Sequence, residues 1–298
     1  MWPVPHPSVS AKVAYLSCLE RIKDKKLKEK YLNAADPIEK TVQRYEESAM
    51  QGSLHLLNPT DFQPEQEGLG VALEITSQDL AKGLYEQRMA QSGSPGRDIY
   101  DKIKLGAPHG VCPLCGVRQV ATLDHHLPRA SFAALSVAPL NLVPACYDCN
   151  RFKQDGRPGS ESDQTLNPYF ENVTASRWLG CQVVEGTPAV MSFFVDAPSD
   201  WSTVLTARVQ HHFRTFRLGE LYAHHATSEI SSIRSLLRWT QDAGGESAVR
   251  SYLVDQARSA LTANVNSWKG AMYEALAAND WYCTGGFGCL AGGGGPRV

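Results

Sequence analysis

The sequence predicts an α+β protein that is mainly helical, with a small cysteine-rich module at its centre and a short β-hairpin after it. Three observations lead there: apolar residues at helical spacing in both flanks, two Cys-x-x-Cys pairs between residues 112 and 149, and alternating apolar residues between 181 and 194. Bulk composition fits this class. The 298 residues are 43% hydrophobic and 20% charged, near globular averages, and no run approaches the roughly 18 apolar residues of a membrane span. The first residues lack a basic leader followed by an apolar core, so a cytoplasmic location without membrane association is expected.

Val13, Leu16, Leu19 and Ile22 lie on one face of a helix expected over residues 13–32, whose charges of mixed sign between 20 and 30 read as a solvated face. Asp36, Pro37 and Glu39 predict the start of a second helix, with an N-cap oxygen, a residue that needs no donor and a carboxylate at the positive end. Ile38, Val42, Tyr45 and Ala49 form its buried stripe. Residues 51–76 read as a loop or arm, and Thr76 with Asp79 as the cap of a helix carrying Leu80, Leu84 and Met89.

Ser92-Gly93-Ser94-Pro95-Gly96 and Gly156-Arg157-Pro158-Gly159-Ser160 punctuate the chain. They set the expected divisions: an N-terminal helical region 1–95, a central module 96–158, a hairpin and helical region 159–290, and a disordered Gly-rich tail 291–298. Residues 181–184 and 189–194 are the expected hairpin. Leu218, Leu221, Ile230, Ile233 and Leu237, and then residues 252–261 and 268–277, return to helical spacing.

Four of the eight cysteines, Cys112, Cys115, Cys146 and Cys149, form the paired knuckles that gather a tetrahedral zinc ion. With four thiolates the ion has no open position, so a structural role is expected. Cys18, Cys181, Cys283 and Cys289 read as buried apolar thiols, against a second metal cluster of Cys283 and Cys289 with the pair His211-His212 or His224-His225. Net charge is −2, but residues 97–157 carry eight Arg or Lys against five Asp or Glu, so affinity for a polyanion must be local.

Between and beside the knuckles stand Asp124, His125, His126 and Pro128, then Asn141-Leu142, then Asn150-Arg151-Phe152-Lys153. A zinc frame alone does not need them, whereas oxygen donors and an imidazole are what a one-metal phosphodiesterase requires. Residues 111–155 resemble the HNH endonucleases, whose pattern runs Cys-x-x-Cys, Asp-His-x-x-Pro, Asn-Leu, Cys-x-x-Cys-Asn-x-x-Lys. Asn150 stands where that family often has histidine. The resemblance implies a ββα-metal module with DNA as the expected substrate. Asp124 and Asn150 would hold one Mg²⁺ or Mn²⁺ ion, His125 would be the general base, and Asn141 would brace the loop beside it. Lys153, Arg151 and Arg129 would contact phosphate.

His126 competes with His125 for the base, although alignment to the motif points to His125. His109 reads as a loop residue. Arg208, Arg214, Arg217, His211 and His212 would either extend a nucleic-acid groove or form a solvated helix face. The compact core between helical extensions is also similar to the HNH subunits of bacterial anti-phage systems such as Septu, which implies an ATPase or sensor partner and an antiviral role. A non-catalytic zinc-ribbon module that binds nucleic acid or protein is the other reading.

Overall fold

A computed structural model of the chain describes residues 2–65 and 74–288. It is mainly helical, with two small antiparallel sheets, and divides into compact units 1–172 and 173–298. The expected tail 291–298, part of the expected arm at 66–73, and Cys289 lie outside the described residues.

In the first unit α1 spans Ala11–Ser17 and α2 spans Lys25–Met50. Both expected helix boundaries shift here. The helix expected over 13–32 stops after Ser17, and α2 opens at Asp24, whose carboxylate accepts from Leu27 N at 3.1 Å. Pro37 then sits inside α2, not at its start. Proline removes the donor that would reach Asn33 O, and one turn later Thr41 Oγ1 donates back to Pro37 O at 2.9 Å. Lys12 of α1 bridges Asp36 and Glu39 at 2.8 and 2.9 Å, so the carboxylates expected to cap a new helix bind a neighbouring one instead.

Thr76 and Asp79 do exchange capping bonds, Thr76 N to Asp79 Oδ2 at 2.8 Å and Asp79 N to Thr76 Oγ1 at 3.1 Å. The helix they introduce, Asp79–Ala90, is wound as a π-helix and buries Leu80, Leu84, Tyr85 and Met89. After the turn at 92–96 comes α3, Arg97–Leu105. Strands β1 (Thr122–His125) and β2 (Leu142–Ala145) pair antiparallel with Asp124 opposite Val143 and His125 opposite Leu142, and α4 (Tyr147–Lys153) follows directly.

One hydrophobic core runs from Ala14 through α2, the π-helix and α3 to Leu142. The expected boundary at residue 95 therefore falls inside a shared core. Tyr45 of α2, fully buried, donates its hydroxyl to Leu140 O at 3.1 Å just before β2. Residues beyond 158 also return to this unit: Tyr169 OH donates to Leu142 O at 2.8 Å, and the unit ends only at Asn172.

The second unit holds the hairpin β3 (Leu179–Val184) and β4 (Val190–Val195), one residue or two longer at its outer ends than the alternation predicts. It is followed by α5 (Thr203–Thr215), α6 (Leu218–Ala263), α7 (Trp268–Ala278) and the short α8 (Asp280–Cys283). Helix α6 breaks at Gly245, where φ 66° and ψ −161° suit a residue without Cβ. Asn266 in the α6–α7 turn accepts from Trp178 N at 2.8 Å and Leu179 N at 3.2 Å, fixing the entry to β3. Arg208 and His212, candidates for an extended groove, are buried in this unit.

Candidate metal centre and polar cleft

The two knuckles fold for local reasons. Cys112 N donates to Arg118 O and Gly116 N to Cys112 O, both at 2.8 Å, and Gly116 takes φ 68°, a left-handed turn that closes the first knuckle. The second knuckle coincides with the start of α4, where Cys146 is the N-cap and its Sγ accepts from Cys149 N at 3.4 Å. Cys112, Cys115, Cys146 and Cys149 are all buried, and their four sulfur atoms lie within 4.8 Å of one another. A tetrahedron with Zn–S bonds of about 2.3 Å has edges of roughly 3.8 Å, so the quartet fits a zinc ion with small adjustment. Hydrogen bonding among the four thiols lowers Cys115 and Cys146, the latter to about 7, and raises Cys112 and Cys149 above the usual thiol range, so the cluster shares protons that a bound metal would displace. Among the described residues no second group of metal-ligand type is gathered; Cys18 and Cys283 are buried singly, whereas Cys181, expected to be buried, is only half-buried on β3.

Beside this centre opens a polar cleft of about 340 Å³. Asp124, His125 and Asn150 line it, as do Arg129, Tyr85 of the π-helix and Asp155. His126 is buried and is not among the lining residues, although its neighbour is. The Nε2 of His125 lies 2.9 Å from Ser136 O; a carbonyl only accepts, so the ring proton is on Nε2 and Nδ1 is left as a lone-pair acceptor. Tyr85 packs edge-on against the ring at 4.4 Å between centroids. Burial lowers the imidazole to about 3, so it is neutral at physiological pH.

Asn141 is fully buried and brackets the chain after His125. Its Oδ1 accepts from Leu127 N at 2.8 Å, and its Nδ2 donates to Leu127 O at 3.0 Å and Leu135 O at 3.3 Å. Asn141 O also accepts from His126 N at 2.8 Å. Asp124 is 4% exposed, and burial raises its carboxyl to about 6 against the opposing pull of Lys153.

The three cations expected at phosphate stand differently. Lys153 is 7% exposed and bonds inward, its Nζ 3.2 Å from Asp124 Oδ2 and 2.6 Å from His125 O. Arg129 borders the cleft over the Tyr85 ring, where it donates to Ala81 O and pairs with Glu86, each at 2.8 Å. Arg151 is exposed and lies over Phe152.

Sequence reasoning missed Tyr85 and Asp155. Asp155, two residues past the motif lysine, was within reach of a motif reading; Tyr85 carries no local signal. Next to Asp155, Gln154 caps α4 with φ 50° and ψ −140°, a conformation that costs a side-chain-bearing residue about 1–3 kcal/mol. Gln154→Gly is expected to raise the melting temperature of the protein by a few degrees after the larger chain entropy of glycine is subtracted, about 2–4 °C per kcal/mol for a unit of this size. Calorimetry checks this; a lower transition would show that the glutamine side chain contributes more than the backbone strain removes.

Fold and site together define a mainly helical α+β protein with a buried four-cysteine centre beside a polar cleft. No family model and no solved structure matches the chain. It is similar to protein Ea31 of Escherichia phage lambda, 28% identical over 249 residues that cover 78% of this chain and 79% of the phage protein. No helix among the described residues is long and apolar enough to cross a membrane.

Proposed function

We propose that the chain is a metal-dependent endonuclease of the HNH type that hydrolyses phosphodiester bonds in DNA in the cytoplasm. One observation carries this reading: a carboxylate, a neutral imidazole and a carboxamide from separate points of the sequence line a single polar cleft beside a zinc-type cluster. A strand pair followed at once by a helix, β1, β2 and α4, provides them. The four thiolates hold structural zinc, which orients the cleft and takes no part in the chemistry.

Asp124 and Asn150 offer the oxygen donors that a hard cation prefers. Bound there, Mg²⁺ or Mn²⁺ would supply Lewis-acid stabilisation of charge on the leaving oxygen and the transition state. His125 receives the proton of the attacking water at Nδ1, while its Nε2–H stays on Ser136 O and prevents the ring from turning. Asn141 fixes the residues that follow and so limits the movement of the base. Arg129 and Arg151 are the cations placed to meet substrate phosphate. An ATPase or sensor partner in an antiviral assembly remains part of the reading through the likeness of layout to the Septu-type subunits.

The test is nicking of supercoiled plasmid by the purified chain with Mg²⁺ or Mn²⁺, beside linear DNA, single-stranded DNA and RNA, with and without a partner ATPase. Cleavage that stops with EDTA while zinc stays bound is expected. Nucleic-acid binding without cleavage under every condition would favour the non-catalytic zinc-ribbon reading.

A further inference from the structure

Lys153 ends α4 in a position that a residue contacting substrate would not choose. Its side chain is 5% exposed and that of Asp124 6%, whereas the surface pair Lys12–Asp36 shows 41% and 75%. An ammonium has three donors. Here they are directed at His125 O, 2.6 Å away, and at Asp124 Oδ2 and Oδ1, 3.2 and 3.5 Å away. A phosphate-binding lysine offers its charge to solvent; this one neutralises a buried carboxylate that would be costly to leave alone.

We propose that Lys153 is a positioning residue of the cleft: it clamps the Asp124 carboxylate and the His125 backbone together and so sets the oxygen that meets a divalent cation. The proposal rests on the nuclease reading for the presence of that cation. The clamp ties the end of β1 to the end of α4, the two elements that supply Asp124 and Asn150. Partners hydrogen-bonded to a metal's carboxylate ligand usually hold it in its ligating orientation, and their loss weakens the metal about 10–100-fold. Lysine at this point is not interchangeable with arginine, because the planar fork needs more room than a buried point charge.

The decisive experiment compares wild type and Lys153→Met, both loaded with zinc, for Mn²⁺ binding by electron paramagnetic resonance and for DNA affinity across a salt series. Weaker Mn²⁺ binding by about 10–100-fold, with zinc content and the salt slope of DNA binding unchanged, is expected. Unchanged Mn²⁺ affinity with a salt slope reduced by about 1 would assign Lys153 to phosphate and overturn the proposal. Wild type that binds no Mn²⁺ would instead remove the nuclease reading, and this clamp's role with it.

A second measurement needs no variant. Acetylation of the folded wild type followed by mass spectrometry should leave Lys153 unmodified with and without DNA, while the exposed Lys82 reacts in the same sample. Ready acetylation of Lys153 that DNA suppresses would overturn the proposal even if the Lys153→Met protein does not fold.

Discussion

Cys146→Ser is expected to release the bound metal and unfold the first unit. Serine is itself a good helix N-cap, so the start of α4 keeps its capping oxygen and the substitution isolates the loss of one metal thiolate. Folding and zinc binding are coupled in small zinc-stabilised modules, at roughly 10–16 kcal/mol for the ion. Loss of the ion through a defect in one of its four ligands is therefore comparable with the roughly 5–15 kcal/mol by which a domain is ordinarily stable. Zinc measured by elemental analysis and the thermal transition followed by circular dichroism should fall together. Soluble, metal-free Cys146→Ser protein with an unchanged transition would count against a structural ion.

For His125→Ala the expected result is the reverse combination: cleavage falls about 10²–10⁴-fold while zinc stays at its wild-type level. The protein should remain folded but weakened, because Ser136 O loses a buried donor, a cost of about 1–3 kcal/mol, and Tyr85 loses its ring contact. His126→Ala is the control. That ring is buried away from the cleft, so its removal should lower stability and leave the chemistry of the folded fraction intact. Equal nicking by His125→Ala and wild type would reject the base assignment; loss confined to His126→Ala would move it by one residue.

What the sequence made legible follows the range of the forces involved. The hairpin of the second unit, the helices after it and the Thr76–Asp79 cap rest on periodicity and on bonds between near neighbours, and the structure contains them. The start of α2 was misread because two capping signals compete. Asp24 binds Leu27 N, whereas Asp36 is taken by Lys12, 24 positions away in the chain, which no local pattern records.

The gathering of the four cysteines was legible because paired Cys-x-x-Cys knuckles have the spacing that suits one tetrahedral ion. That Asp124, His125 and Asn150 would share one cleft followed from their place on the motif, but the directions of their side chains did not. Lys153 illustrates the limit: its spacing is that of the motif, yet whether its ammonium meets solvent or a carboxylate depends on how α4 closes against β1. Tyr85 was hidden altogether, since its place at the cleft comes from packing of a π-helix against a strand formed by residues about 40 positions later.

The single core shared by α2, the π-helix and the strand pair has one more effect. Scission of the chain near residue 96 would leave all four clustered cysteines on one fragment, yet that fragment would lack the aromatic wall that seats His125 and the Tyr45 hydroxyl that anchors the approach to β2. A fragment cut to the cysteine module alone would therefore leave open, at its edges, apolar surface that the stretch 1–172 keeps covered.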